Sequence, residues 1–387
     1  MRSTHSQYEP TRIEYQGLSL QYSVSTKVLD EVDLVVEPAE TLALLGSSGS
    51  GKTSLMRATA GLIRPRNHKR SRIEQFLSSM LAGSQHVDLR GRILFGEKDV
   101  TDLRPQSRNV AMVRQTWDLL PNLTARETLL LTMRLGGDKG SRAESRAMEV
   151  LESVGLADKA HRKPSELSGG EVQRLAIGRL LVRPYVRAFL FDECLSSLDP
   201  SLRRQILRLI QTHLRERSVT TLWVTHLVDE VRQLRARVGI LDKGRLVQVG
   251  PLGEVEGNPA TVAAHKIVSG QEESAIGSGI VESECLIKLV SGKTLSLPSL
   301  KRRQPEEKVL IAVRNRGWRM VDGDGLEGEV IDCVPVYGGG YEVIFSVEGW
   351  LASVWSERPW AVSGGARILP NPEDVFPFDP RDGKRLG

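Results

Sequence analysis

The stretch LALLGSSGSGKT, residues 42–53, is an apolar run that breaks into a glycine-rich octet, and Thr53 to Leu62 then reads as a helix. Strand, glycine loop and helix in this order, with lysine and threonine closing the loop, match the phosphate-binding P-loop. Glycines let backbone N–H groups close around phosphate oxygens, and the helix N-terminus adds partial positive charge. Gly46, Ser47, Ser48, Gly49, Ser50, Gly51, Lys52, Thr53 and Ser54 are therefore the candidate ATP-binding residues. Lys52 would reach the β- and γ-phosphates, and the Thr53 hydroxyl would serve Mg²⁺, a hard cation that takes oxygen ligands.

Downstream, AFLFDE at 188–193 is an apolar strand ending in two carboxylates. Such a pair commonly does no more than cap the next element. Coupled to a P-loop it has a chemical reading: Asp192 holds Mg²⁺ through water, and Glu193 orients or deprotonates the attacking water. The segments around these motifs alternate between strand and helix. Leu42–Leu45, Val110–Val113, Ala188–Phe191 and Thr221–Val224 read as strands, while Thr124 onward, Glu144–Val154 and Leu202–Leu214 read as helices. Thr124 with Glu127 three residues on is a capping box. This alternation predicts a mostly parallel sheet covered on both faces.

LSGGE at 167–171, followed by VQR, lies between the P-loop and the carboxylate strand. At this point the chain resembles the ATP-binding cassette family over roughly residues 13–270, with a helical subdomain expected at about 116–175. The resemblance implies that Leu167, Ser168, Gly169, Gly170 and Glu171 complete the nucleotide site of a second subunit. It assigns Tyr22 to stacking on adenine, with Tyr15 and Tyr8 as alternatives, because an aromatic face suits a base. It assigns Gln115 to linking Mg²⁺ with a membrane partner, Ser196, Ser197, Leu198 and Asp199 to a loop crossing the dimer, and His226 to the γ-phosphate. An amide suits metal and water, and an imidazole can donate to developing phosphoryl charge. Arg114, Glu171, Cys194 and Leu227 depart from the commonest family wording, but none of these departures removes a catalytic group.

Asn67 to about Arg90 interrupts the cassette with a basic run and an apolar helical face formed by Ile73, Phe76, Leu77, Met80 and Leu81. Its functional reading is an extra docking surface for a partner or the membrane; loops accept surface additions readily, and a tolerated insertion whose apolar face packs locally is the favoured reading. Near Gly270 the polar stretch QEESAIGSG reads as a linker, and helical periodicity ends. Short β-type runs come next at 285–290, 309–313, 328–334, 341–347 and 366–369, with GIVES at Gly279 and GEVID at Gly328 as openings of two related halves. These predict a small all-β barrel over 271–387. It resembles the OB-like TOBE domain of importer ATPases, with LIAVRNRGWRM at 310–320 where those proteins carry an Arg-Pro-Glu sequence. In that family the barrel extends the dimer and sometimes binds a regulatory ligand; passive packing is the simpler role.

Composition narrows the class. The 387 residues carry 53 Lys and Arg against 48 Asp and Glu, a net charge of +5 with no basic stripe, so no nucleic-acid partner is expected. Cys194, Cys285 and Cys333 are too few and too scattered for a disulfide framework or a metal knuckle. Nowhere do about 18 consecutive apolar residues occur, and the amino terminus lacks the apolar run of a signal peptide. The reading is of a protein that neither spans nor crosses a membrane by itself.

The resemblance thus implies an α/β P-loop cassette followed by a β-barrel. It would be a homodimeric or paralogue-paired ATPase that uses ATP and Mg²⁺ and is bound peripherally to integral membrane permeases at the cytoplasmic face of the inner membrane. A solute-binding protein would act indirectly. Polyamines, ferric iron or another small solute are the substrates favoured by overall resemblance. Two other classes are a soluble cassette ATPase of translation or DNA repair, which usually carries tandem cassettes or coiled coils, and a non-hydrolysing ATP-dependent regulator. The single cassette with its barrel speaks against the first, and intact Lys52, Asp192, Glu193 and His226 against the second.

Overall fold

The computed structural model describes residues 10–22, 27–65, 87–113, 119–138, 140–183, 186–196, 198–269, 274–289, 292–297, 300, 303–314, 317–336 and 339–386. The chain divides into two compact units, Met1–Val249 and Gly250–Gly387.

In the first unit, β1 (Ile13–Gln21), β2 (Lys27–Val36) and β3 (Thr41–Leu45) lead to the octet and α1 (Lys52–Thr59). β4 (Asp88–Phe95), β5 (Lys98–Asp99), α2 (Pro105–Arg108) and β6 (Val110–Val113) come next, then helices α3 (Ala125–Leu135), α4 (Ser141–Ser153) and α5 (Gly169–Leu181). β7 (Ala188–Asp192), α6 (Pro200–Arg217), β8 (Thr220–Val224), α7 (Val228–Leu234), β9 (Arg237–Asp242) and β10 (Arg245–Pro251) complete the order. Residues 88–90, which the insertion was expected to include, belong to β4 and pair with β1. Residues 67–86 of that insertion lie outside the described residues.

Two sheets result. One is antiparallel in the order β2-β1-β4-β5; the other runs β10-β9-β3-β8-β7-β6. Within the second, β9, β3, β8, β7 and β6 are parallel neighbours. All five residues of β7 and of β8 are buried, as strands covered on both faces require. Parallel strands deliver their carboxyl ends to one edge of the sheet, where open α/β folds build ligand sites. The order β3-β8-β7 therefore sets the P-loop strand and the carboxylate strand on either side of β8. At the other end of α1, Arg108 is 1% exposed, and its guanidinium donates to the carbonyls of Ala58, Thr59, Thr101 and Leu103. It thus occupies carbonyls that a helix C-terminus leaves without intrahelical partners.

The second unit begins with α8 (Leu252–Gly257) and α9 (Val262–Ser269). Its strands are β11 (Ser274–Ser283), β12 (Leu286–Leu289), β13 (Thr294–Ser296), β14 (Lys308–Arg314), β15 (Trp318–Met320), β16 (Leu326–Pro335), β17 (Tyr341–Val347), β18 (Trp350–Ser356), β19 (Gly365–Pro370) and β20 (Val375–Phe378). They form two five-stranded sheets, β13-β12-β11-β14-β20 and β15-β19-β16-β17-β18, which share one core that includes Val281, Ile311, Val330, Phe345 and Ile368. Every strand pair described within them is antiparallel. Gly279 and Gly328, the openings of the two related halves, fall on the central strands β11 and β16.

The linker expected over QEESAIGSG is corrected here, because Ser274 onward is the strand β11, paired with β12 and β14. Its glycines serve packing. A Cβ on Gly277 would lie 1.9 Å from the Trp350 ring, and one on Gly279 would lie 2.3 Å from the Ile287 side chain. Glycine inside a strand often marks such a close approach. The compact units part at 249/250, ahead of the expected boundary at 270, and α9 packs on β11 and β14.

Candidate active site

Gly51 precedes α1 with φ of 106°, and a Cβ there would meet the Val28 carbonyl at 2.6 Å. Only glycine makes this turn cheaply. A Cβ on Gly46 would meet the Leu241 carbonyl at 2.3 Å, so the loop is seated directly on the neighbouring strand β9. Lys52 is buried, and its ammonium donates to the carbonyls of Gly46 and Ser47, both at 2.8 Å. Burial pulls its pKa below the ordinary lysine value, against the opposing pull of the Glu193 and Asp192 carboxylates. The ammonium is thus held at the loop by backbone oxygens and within the field of both acids.

The Thr53 hydroxyl donates to Asp192 Oδ1 at 3.1 Å. A hydroxyl and a carboxylate brought together beside a phosphate loop suit a hard cation that keeps most of its other ligands as water and phosphate oxygens. Among the described residues, no group of three or more His, Cys, Asp or Glu side chains could hold a metal alone. The donor set therefore fits Mg²⁺ arriving with a nucleotide.

Glu193 follows Asp192 with φ of 48°, and its backbone N–H donates to the Val224 carbonyl at 3.0 Å. The left-handed conformation costs a non-glycine residue roughly 1–2 kcal/mol. The hydrogen bond to β8 holds it in place and turns the chain out of the strand. Its Oε2 lies 3.9 Å from His226 Nδ1, and the imidazole is half exposed. Glu193 and His226 thus converge from adjacent strand ends.

Tyr22 is partly buried with its hydroxyl 3.1 Å from Ser54 Oγ, at the start of α1. Tyr15 is 1% exposed and hydrogen-bonded to Thr59, which removes it as an adenine stacker. Tyr8, Gln115 and Ser197 lie outside the described residues.

Ser168 caps α5, and its backbone N–H donates to Glu171 Oε2 at 2.9 Å. Lys159 pairs with the other carboxylate oxygen of Glu171, with Arg174 at 3.9 Å. Hydrogen bonds from Lys159 first and the Ser168 backbone second hold the Glu171 carboxyl down to about 2. Gly169 and Gly170 open the helix, and a Cβ on Gly169 would meet nothing within 4 Å. Among the described residues, no neighbour requires glycine there.

Further contacts bind these parts together, with Arg203 the residue that sequence reasoning does not single out. The Gln173 amide donates to the Cys194 carbonyl, tying the signature helix to the turn after the carboxylates. Arg174 donates to the carbonyls of Val154 and Gly155. Asp199 caps α6 by accepting from Ser201 and Leu202, both at 3.0 Å. The Arg203 guanidinium donates to the carbonyls of Leu195, Ser196 and Leu198, clasping the loop that contains Leu198. A helix-start aspartate with an arginine four residues later is the available signal. Cys194 is buried, and burial first, then the Glu230 charge, pushes its thiol pKa well up, so it is not a reactive thiolate.

The fold and site define a P-loop ATPase cassette. A family model described as ABC transporter matches residues 29–196. PhnT of Salmonella typhimurium, an ATP-binding protein named for 2-aminoethylphosphonate import, is 36% identical over 268 residues, covering 68% of this chain and 66% of its own. The chain thus spans about two thirds of the length of that relative. The sn-glycerol-3-phosphate import ATP-binding protein UgpC of Chromobacterium violaceum is 34% identical over 318 residues, covering 82% of this chain and 79% of its own. A solved structure of the ATP-binding cassette MJ0796 superposes with a TM-score of 0.52 at 24% identity, over 62% of this chain and 98% of that one. The chain belongs to the ABC transporter family.

Proposed function

We propose that this protein is the ATP-hydrolysing motor subunit of an importer, working as a pair of cassettes on separate membrane permease subunits. The observation that carries this reading is the convergence at one sheet edge: Thr53 against Asp192 at 3.1 Å, and Glu193 facing His226 at 3.9 Å. The names of PhnT and UgpC as import ATP-binding proteins support the transport role.

In this reading the octet's N–H groups and Lys52 bind the triphosphate, and Tyr22 faces the base. Thr53 and Asp192, with Gln115, would hold Mg²⁺, whose charge offsets that of the phosphate oxygens. Glu193 orients a water for in-line attack on the γ-phosphorus and receives its proton. The bond to the β,γ-bridging oxygen breaks, and ADP and phosphate leave. His226 donates to the oxygens on which charge develops.

Pairing is inferred from Gly169. Among the described residues its surroundings leave room for a side chain, so its use points to a close approach from another molecule. Leu167 to Glu171 would then close over the γ-phosphate held by a partner's P-loop, with Ser197, Leu198 and Asp199 at the crossing. The solved MJ0796 cassette, dimeric in a post-hydrolysis state with ADP and Pi, supports pairing as such. Closure and its loss on hydrolysis would bias two states of the permeases. The cassette sits peripherally at the cytoplasmic face of the inner membrane, and among the described residues no helix is long and apolar enough to cross a membrane. The solute is small, and the permeases choose it; polyamines and ferric iron remain within that class.

Glu193→Gln tests the reaction. Turnover should fall by roughly 10²–10⁴-fold while ATP binding is kept. Unchanged turnover would remove Glu193 from its role, and copurification with ribosomes but no membrane protein would replace the importer with a soluble cassette ATPase.

A further inference from the structure

Glu230, in the first turn of α7, is 4% exposed, a burial rare for a carboxylate unless it is partnered. Its Oε2 accepts from the Trp223 indole N–H at 2.9 Å. Trp223 lies on the same chain segment as His226, where Thr225 Oγ accepts the backbone N–H of Leu227 at 3.1 Å. That bond brackets His226 on both sides.

The same carboxylate reaches the other half of the site. Trp223, its indole donor, is 1% exposed and lies 4.4 Å from the ring of Phe191, the residue that precedes Asp192 and Glu193. Trp223 and Phe191 are also partners in the β7–β8 register. Burial pushes the Glu230 pKa up, against the opposing pulls of the Trp223 hydrogen bond and of Arg203 and His226, while the buried Cys194 thiol faces it from the turn after the carboxylates.

We propose that Glu230 is a positioning residue for hydrolysis: its carboxylate, through Trp223, fixes His226 relative to Glu193. The inference rests on the proposed role of His226. Removing the carboxylate charge while keeping size should let the segment around His226 move without touching the P-loop.

The test is a double-mutant cycle on phosphate release by the full chain, using Glu230→Gln and His226→Ala. Glu230→Gln should lower kcat roughly tenfold to a hundredfold and leave KM for ATP unchanged, as expected when a reacting group is displaced but binding is kept. In the His226→Ala background it should cause no further loss, because neighbours acting in one network are non-additive. Trp223→Phe, which keeps an aromatic ring but removes the indole donor, should lower kcat in the same direction and supplies the readout if Glu230→Gln fails to fold. A lowered melting temperature with unchanged kcat in the folded protein makes Glu230 merely structural and overturns the proposal. Equal losses from Glu230→Gln with and without His226 overturn it while leaving the role of His226 intact. Unchanged turnover in His226→Ala overturns the His226 assignment itself and the proposal with it.

Discussion

The hydroxyl of Thr53 donates to a carboxylate oxygen of Asp192 at 3.1 Å, joining residues 139 positions apart in sequence. One opens the helix after the phosphate loop; the other closes a strand two places away in the sheet. The contact exists because β3, β8 and β7 are consecutive neighbours and parallel.

Removing either partner should therefore act through the metal. Thr53→Ala and Asp192→Asn are expected to weaken Mg²⁺-dependent nucleotide binding by roughly tenfold to a hundredfold, the loss typical when metal-supporting groups are removed. Nucleotide affinity measured across a Mg²⁺ titration checks this, and binding in the absence of Mg²⁺ should change little.

Glu171 gives a pH prediction with a definite sign. Its folded-state pKa of about 2 lies below the ordinary value of about 4.3, so its contribution to stability is full above that ordinary value. It is lost as pH falls from there through about 2. Glu171→Gln keeps an acceptor for the Ser168 N–H but loses the charge facing Lys159. The melting-temperature gap between wild type and variant should be largest near neutrality and shrink below about pH 4.

The strand β11 offers a packing test. Gly277→Ala would place a methyl group 1.9 Å from the Trp350 ring, inside a filled core. Overpacking of this kind costs about 1–3 kcal/mol, to be read as a lower unfolding midpoint of the second unit in denaturant.

Legibility in the sequence tracks contact range. The P-loop, the carboxylate pair and the Thr124 capping box are readable because each depends on residues a few positions apart. His226 is locatable because WVTH ends a strand. The alternation in β16 and β17 is also legible, since a half-buried strand writes its period into the chain. β11 reads wrongly as a linker because Ser274 to Gly279 has the composition of a turn, and only the Trp350 ring, more than seventy positions away, explains Gly277. Arg203 and Glu230 escape notice for the same reason: a charged residue on a helix reads as a solvated face until its burial is known. Arg108 is the extreme case, an arginine in a four-residue helix that spends its guanidinium on four backbone carbonyls.

The central claim is that LSGGE serves a nucleotide bound by another subunit, and Gly169→Val tests it most directly. Among the described residues a Cβ at Gly169 meets nothing within 4 Å, so the folded monomer should tolerate the change. ATP binding to the monomer and phosphate release by the assembled protein should be measured on the same preparation. The account predicts binding unchanged and turnover abolished. Binding and turnover lost together, or turnover left intact, would contradict it.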